Sequence, residues 1–499
     1  MATSARRDGG GASSSVGGRH ASQPHRAGSL LGVLGLTALS TVLPGSGFLA
    51  LRRIRLGVVV LGAFALLVGL SAYYASDRRQ ELIRMGVQSD LLRRVIIVLA
   101  VVFTAWALVV VATDVLSRPR SLSRGGHVVA SVFTALMCAV LAVPFFLGVS
   151  YASAQRGFIK DVFTPEDDLQ SATRPEVTNE ADPWRGQDRV NVLLVGGDAG
   201  PNRIGTRTDS IIVASIDVET GDTVLFSLPR NLEDVPFADG SKLDELYPQG
   251  FDGAGDPLQW MLNAVYSQVP ELHPGVLGES DNEGADALKL AVGGALGIPV
   301  DYYALVSIPG FVKVIDAMGG VTVNINQPIP IGGAEGKREP EGYLDPGPEQ
   351  KLDGFEAMWF ARGRYGLDDY DRMRRQRCLM DAVIDRADPT TLLTRYERIL
   401  DAGKEILLTD IPAERLPDFV DLAFMVKEAK LRSVVFTRGE NFSPESPDYA
   451  AIHEVVEKAT DDTTGGGGNG GGRGKGGGKR GGLTSLIDDE SSCDYSPVE

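Results

Sequence analysis

Two clusters of charged residues could do chemistry. The first is Asp198, Asp209 and Arg230. Val190 to Val195 is a near-continuous apolar run of the kind a strand buried on both faces shows. Ser210 to Asp217 is rich in Ile, Val and Ala, and Thr223 to Leu228 is a further apolar run. The intervening Glu219-Thr220-Gly221-Asp222 is a turn signal, so the last two runs predict a hairpin. A hairpin sets the start of its first strand beside the end of its second, which puts Asp209 and Arg230 at one sheet end. Asp198 joins them if the loop Ala199 to Arg207 folds back. Two carboxylates supply the hard oxygens that Mg²⁺ (or Mn²⁺) takes, and an Arg suits a phosphate. The second cluster is Arg362, Arg364, Arg372, Arg374, Arg375 and Arg377. A helix predicted from about Asp369 puts Arg372, Arg375 and Gln376 on one face near its start, where a pyrophosphate is well received.

The positioning elements follow from composition. Residues 1–160 carry 17 Lys/Arg against 5 Asp/Glu, and the remainder 32 against 60. A basic, apolar first part reads as membrane-embedded and an acidic remainder as a soluble domain; nothing points to nucleic acid. Residues 1–28 lack large apolar side chains and predict a disordered cytoplasmic terminus. Within the membrane region, residues 29–152, the run 30–51 is broken by Leu43-Pro44-Gly45-Ser46-Gly47 and predicts a re-entrant or interfacial piece. Residues 56–74, 95–116 and 128–151 are each long enough to cross the bilayer. Arg52, Arg53 and Arg55, and Arg118, Arg120 and Arg124, favour the cytoplasm. Three crossings then leave Asp77 to Arg94 and everything after Tyr151 outside; four crossings, with an external N-terminus or an internal C-terminal domain, are the alternative. Residues 153–187 read as a juxtamembrane linker, 188–460 as a catalytic domain, and 461–499 as a Gly-rich disordered tail. The three cysteines, Cys138, Cys378 and Cys493, imply no disulfide framework. With only five His, zinc is not expected.

Along the domain, helices are predicted at Pro257 to Val269, Ala285 to Leu296, Pro309 to Met318, Gly354 to Ala361, Leu392 to Leu408, Ala413 to Ala429 and Tyr449 to Ala459. Strands are predicted at Tyr302 to Ile308, Val321 to Ile325 and Leu431 to Thr437. Pro328 to Pro348 reads as a loop. Such a mixture implies an α/β fold with helices packed on a sheet. Trp184, Trp260 and Trp359 read as packing residues.

Gly197-Asp198, Arg207-Thr208-Asp209 and Leu228-Pro229-Arg230 resemble the LytR–CpsA–Psr family of cell-wall enzymes. Gly297-Ile-Pro-Val-Asp-Tyr-Tyr303, Gly310-Phe311, Gly319-Gly-Val-Thr-Val323, Leu352-Asp-Gly354, Arg362-Gly-Arg364 and Asp371-Arg372-Met-Arg-Arg375-Gln376 resemble it in the same order, over roughly Asp188 to Ala459. The resemblance implies an extracytoplasmic α/β/α sandwich with a mixed central sheet and a pocket for a polyprenyl chain. It implies a membrane-anchored phosphotransferase that moves a glycopolymer from a polyprenyl-pyrophosphate carrier to a peptidoglycan hydroxyl. Asp198 and Asp209 would hold the metal. Arg207, Arg230, Arg362, Arg364, Arg372, Arg375 and Gln376 would bind the pyrophosphate, with Arg230, Arg364 and Arg372 also catalytic. Arg374 and Arg377 are left as surface residues. The sequence departs from the family at Gly200, where an Arg is usual and Arg203 is a substitute, at Asn231, and at Leu243-Asp244 after Lys242. A lipid-pyrophosphate hydrolase, a non-catalytic lipid-binding or wall-attachment module, and a regulator are the alternatives.

Overall fold

The structure is a computed structural model, and it describes residues 27, 29–175, 184–197, 208–333, 336–367, 369–386, 407–436, 442–464, 487–488 and 493–497. The chain divides into two compact units, Met1–Asp77 with Ile97–Gly148, and Arg78–Ile96 with Val149–Glu499.

The first unit is built from apolar helices. α1 (Leu30–Val42) has 13 residues, about 20 Å of helix, too short for the roughly 30 Å hydrocarbon core. A turn at Leu43-Pro44-Gly45 leads to α2 (Ser46–Ala50), and Gly45 sits at φ +95°. The Ser40 hydroxyl donates to Thr113 Oγ1 (3.1 Å) and accepts from the Gly47 amide (3.1 Å). A Cβ on Gly47 would meet Ser40 Oγ at 2.3 Å, so only glycine fits there. Among the described residues, three helices are long and apolar enough to cross a membrane. They are α3 (Ile54–Asp77), α5 (Ser89–Ser117) and α6 (Arg124–Val162). Between α3 and α5 lies α4 (Arg79–Gly86). The predicted spans fall inside these helices, and α6 runs eleven residues beyond Tyr151.

The second unit is organised by a seven-stranded mixed sheet. Its strands are β1 (Arg189–Gly197), β2 (Thr208–Asp217), β3 (Thr223–Leu228), β4 (Tyr302–Ser307), β9 (Leu407–Thr409), β10 (Leu431–Val435) and β11 (Ile487–Asp488). Their order is β11-β10-β3-β2-β1-β4-β9. β1 and β4 are parallel, as are β3 and β10; β2 runs against β1 and β3. The carboxyl ends of β1, β3, β4 and β10 therefore share one rim.

β1 is buried on both faces. Leu193 and Val195 join a large core with α8 (Leu262–Leu272), α9 (Glu283–Leu296) and α14 (Tyr449–Thr464). Val190 and Val192 pack on the other face with Leu422 and Phe419 of α13 (Leu416–Glu428). This is an α/β/α sandwich. α10 (Ile308–Met318) starts at the rim, where the Ser307 side chain accepts from the Gly310 amide, and Gly319 ends it in the left-handed region. α10, α11 (Gly354–Arg362), α12 (Asp369–Arg386) and β5 (Val321–Ile325) enclose a second core around Ile315, Val321, Phe360 and Leu379.

Several expectations are corrected. The expected loop at Pro328 to Pro348 contains β6 (Ile329–Ile331) and β7 (Gly342–Leu344), and β8 (Gly347–Leu352) pairs with β5. Their Pro, Gly and charged residues carry no strand pattern, so pairing alone makes them strands. The helix expected at Leu392 to Leu408 lies largely outside the described residues, but Leu407 and Leu408 are strand because they pair with β4. Pro257 to Val269 is a single 3-10 turn followed by α8. The expected juxtamembrane linker is docked where described. The buried Asp286 carboxylate accepts from Ser171 Oγ (2.8 Å), the Ala172 amide (2.9 Å) and Thr173 Oγ1 (2.5 Å). The expected disordered tail returns to the domain at two places. β11 adds to β10, and Cys493 forms a disulfide with Cys378 of α12. The sequence could not show that pairing, because 115 residues separate the two cysteines.

Candidate active site

The rim of the sheet carries the first cluster. Ile211 pairs with Leu228, so Asp209 and Arg230 each lie two residues beyond one rung, at the same end. Gly197 pairs with Thr208 across an irregularity in β1, and Ser307, at the end of β4, pairs with Gly197. This places the start of β2, the ends of β1 and β4 and the residues after β3 together. Asp198 and Arg207 lie outside the described residues. Arg230 is half-buried, and its carbonyl accepts from the Asn263 amide at 2.9 Å. Thr208 is fully buried, and its hydroxyl has no hydrogen-bond partner among the described residues. A buried hydroxyl without a partner is costly, and this one lies at the rim.

The second cluster sits on α11, the turn after it, and α12. Asp353 caps α11 with a reciprocal box: its carboxylate accepts from the Glu356 amide, and the Glu356 side chain accepts from the Asp353 amide. Arg362 is the half-buried last residue of α11. Arg364 is exposed in the following turn, which the Leu367 amide closes on the Arg364 carbonyl (2.8 Å). Arg372 is buried, at 4 % exposure.

Arg375, expected to bind the pyrophosphate, is buried against α11. Its terminal nitrogens donate to the Phe360 carbonyl and to the Gly363 carbonyl (2.5 Å). Gln376 Nε2 donates to the Ala361 carbonyl at 3.3 Å. The last carbonyls of a helix have no partner within it, and these two side chains supply partners for α11. Arg375 and Gln376 thus fix the strand of chain that bears Arg362 and Arg364. Arg374 is exposed and paired with Asp371 at 2.6 Å, as a surface residue should be. Arg377 is not a surface residue; at 4 % exposure it is buried. It lies about 140° around the helix from Arg372, and the packing of α12 on α11, β5 and β10 buries both positions.

The LytR_cpsA_psr family model matches residues 159–459, more than half of the chain. The chain belongs to this family.

Relatives within it carry transferase and cell-wall names. The chain is 27 % identical over 227 residues to biofilm regulatory protein A of Streptococcus mutans, covering 44 % of this chain and 50 % of that protein. It is 28 % identical over 237 residues to the polyisoprenyl-teichoic acid–peptidoglycan teichoic acid transferase TagU of Oceanobacillus iheyensis, covering 47 % and 62 %. The chain thus spans between half and two thirds of the length of these relatives. Among solved structures, B. subtilis TagV is 25 % identical with a TM-score of 0.39, covering 55 % of this chain and 97 % of that one. A Streptococcus agalactiae protein is 23 % identical with a TM-score of 0.42, covering 57 % and 92 %.

In this LytR–CpsA–Psr domain an apolar seam runs between the sheet and α8–α9, lined by Leu193, Val195, Leu305, Tyr266, Ala285 and Leu288. Tyr303 closes it, where Asn282 Nδ2 donates to the hydroxyls of Tyr266 (3.0 Å) and Tyr303 (3.2 Å). Burial pushes both phenols up, so both stay neutral. Sequence reasoning missed this polar closure, which joins three elements. It named Thr208 only as part of a motif; what the structure adds is that its buried hydroxyl lies at the rim. No group of three or more His, Cys, Asp or Glu that could hold a metal occurs among the described residues.

Proposed function

We propose that the chain transfers a glycopolymer, with the phosphate at its reducing end, from a polyprenyl-pyrophosphate carrier to a hydroxyl of peptidoglycan. The observation that carries this reading is the register that sets Thr208, Asp209 and Arg230 at one rim, within a domain of this family. The acceptor oxygen forms a bond to the sugar-linked phosphorus. The bridging P–O bond of the pyrophosphate breaks, and polyprenyl phosphate leaves. The negative charge that develops calls for fixed cations. Arg230, Arg362, Arg364 and Arg372 supply them, with Arg207. Arg375 and Gln376 hold α11 so that Arg362 and Arg364 are presented correctly. The seam beneath α8 and α9 takes the polyprenyl chain, whose entry requires those helices to part.

A divalent cation suits hard oxygens such as the buried Thr208 hydroxyl at this rim. Asp209 and Asp198 would hold it. When bound, the cation neutralises charge on the phosphate oxygens. The Arg distribution supports an outer location for the domain and an anchor of three crossings.

The test is a transfer assay with the full chain, lipid-linked glycan donors and peptidoglycan fragments, with and without Mg²⁺. Asp198→Asn and Asp209→Asn are expected to lose transfer while leaving the fold intact. Retained, Mg²⁺-dependent transfer in both variants would overturn the assignment. Release of the glycan to water with no transfer would make the protein a hydrolase.

A further inference from the structure

The segment from Asp77 to Arg94, which includes the start of α5, carries five arginines, Arg78, Arg79, Arg84, Arg93 and Arg94. For a loop on the outer side this opposes the usual charge bias, and the structure offers a reason. α4 is an eight-residue helix, too short to be stable alone; it is packed against α13. Arg84 lies 3.1 Å from Asp421 and 3.7 Å from Asp418. Asp418 is also 3.6 Å from Arg415, which lies 3.4 Å from Glu166 just beyond α6.

Backbone bonds support the same contact. The Ala413 amide donates to the Thr164 carbonyl (3.1 Å), and the Glu166 amide to Glu414 Oε2 (2.9 Å). Beneath the charges, Leu92 and Ile159, with Ala152, pack with Ala413 and Leu416. Within the second unit, the segments Arg78–Ile96 and Val149–Glu166 are therefore joined to α13 and the residues just before it.

We propose that Arg84 is a positioning residue, docking the loop after α3 onto α13 through Asp418 and Asp421 so that the catalytic site is presented to a donor held in the bilayer. The inference rests on the transfer reading above. A docked site meets a membrane-borne donor without a search over tether conformations. Loosening the dock lowers the competent fraction and raises the apparent KM in proportion. A water-soluble donor diffuses to the site from any side and is indifferent to the dock.

The experiment uses the full chain in vesicles with two donors, one with a long prenyl chain inserted in the bilayer and one with a short, water-soluble chain. Arg84→Glu sets a third negative charge against two aspartates. Partly exposed pairs of this kind change an equilibrium by up to about fivefold each, so KM for the bilayer donor is expected to rise by up to about twenty-five-fold across the two pairs. Values for the soluble donor should not change. Combining Arg84→Asp with Asp421→Arg should restore most of the loss. Equal loss on both donors without rescue would make Arg84 merely structural, and no change on either would refute the dock. If the unaltered chain transferred neither donor, the functional reading would fall. The dock would then be read from amide exchange, where unchanged protection of residues 79–86 in Arg84→Glu refutes it.

Discussion

Replacing Arg375 by Met separates two roles that a charge cluster conflates. The guanidinium donates to the Phe360 and Gly363 carbonyls from a site only 8 % exposed. Each charge-assisted bond is worth about 1.5–3 kcal/mol, so losing both costs about 3–6 kcal/mol. At roughly 2–4 °C per kcal/mol for a domain of this size, melting should fall by about 10 °C. Transfer should fall with it, because Arg362 and Arg364 lose their support. Arg364 is exposed, so Arg364→Met should change stability by less than about 0.5 kcal/mol while abolishing most transfer. The same contrast applies within α12. Arg377→Lys should destabilise by about 1–3 kcal/mol, because it disturbs a buried charged group, and Arg374→Lys should be nearly silent. Thermal unfolding and the transfer assay are read on the same preparations. An Arg375→Met protein that melts normally yet cannot transfer would refute the reasoning and return Arg375 to the pyrophosphate.

Two further outcomes are expected. The Cys378–Cys493 disulfide closes a loop of 115 residues, a length at which loop entropy gives roughly 4–5 kcal/mol. Reduction should lower the melting temperature, and a membrane-impermeant thiol reagent on intact cells should reach Cys493 only after an impermeant reductant; labelling without reduction would refute the pairing. Asp301 is buried, and burial pushes its carboxyl up to about 6, although the Asn191 amide and Lys289 oppose this. Between about pH 4 and 6 the folded chain holds a proton that the unfolded chain has lost, so stability should fall as pH rises through that window. Asp301→Asn should flatten the slope, and an unchanged slope in urea titrations would assign it elsewhere.

Much of the sheet was legible because its signals are local. The run Val190 to Val195 and the turn at Glu219 to Asp222 specify β1, the β2–β3 hairpin and hence the shared rim of Asp209 and Arg230. Helix stops were legible where glycine takes the left-handed conformation, as at Gly297 and Gly319. The spans in the first unit followed from length and apolarity alone.

Tertiary structure decided what depends on partners distant in sequence. β8 is a strand because β5 lies beside it, not because Gly-Pro-Glu-Gln-Lys-Leu favours one. Arg375 and Arg377 look alike as charges in a run, and only the packing of α12 shows both to be buried, with Arg375 satisfying α11. The polar closure of Tyr266, Asn282 and Tyr303 and the disulfide of Cys378 with Cys493 join residues that no local pattern relates. Periodicity records which face of one element is apolar, whereas a charged side chain's role is set by the atoms that surround it after folding.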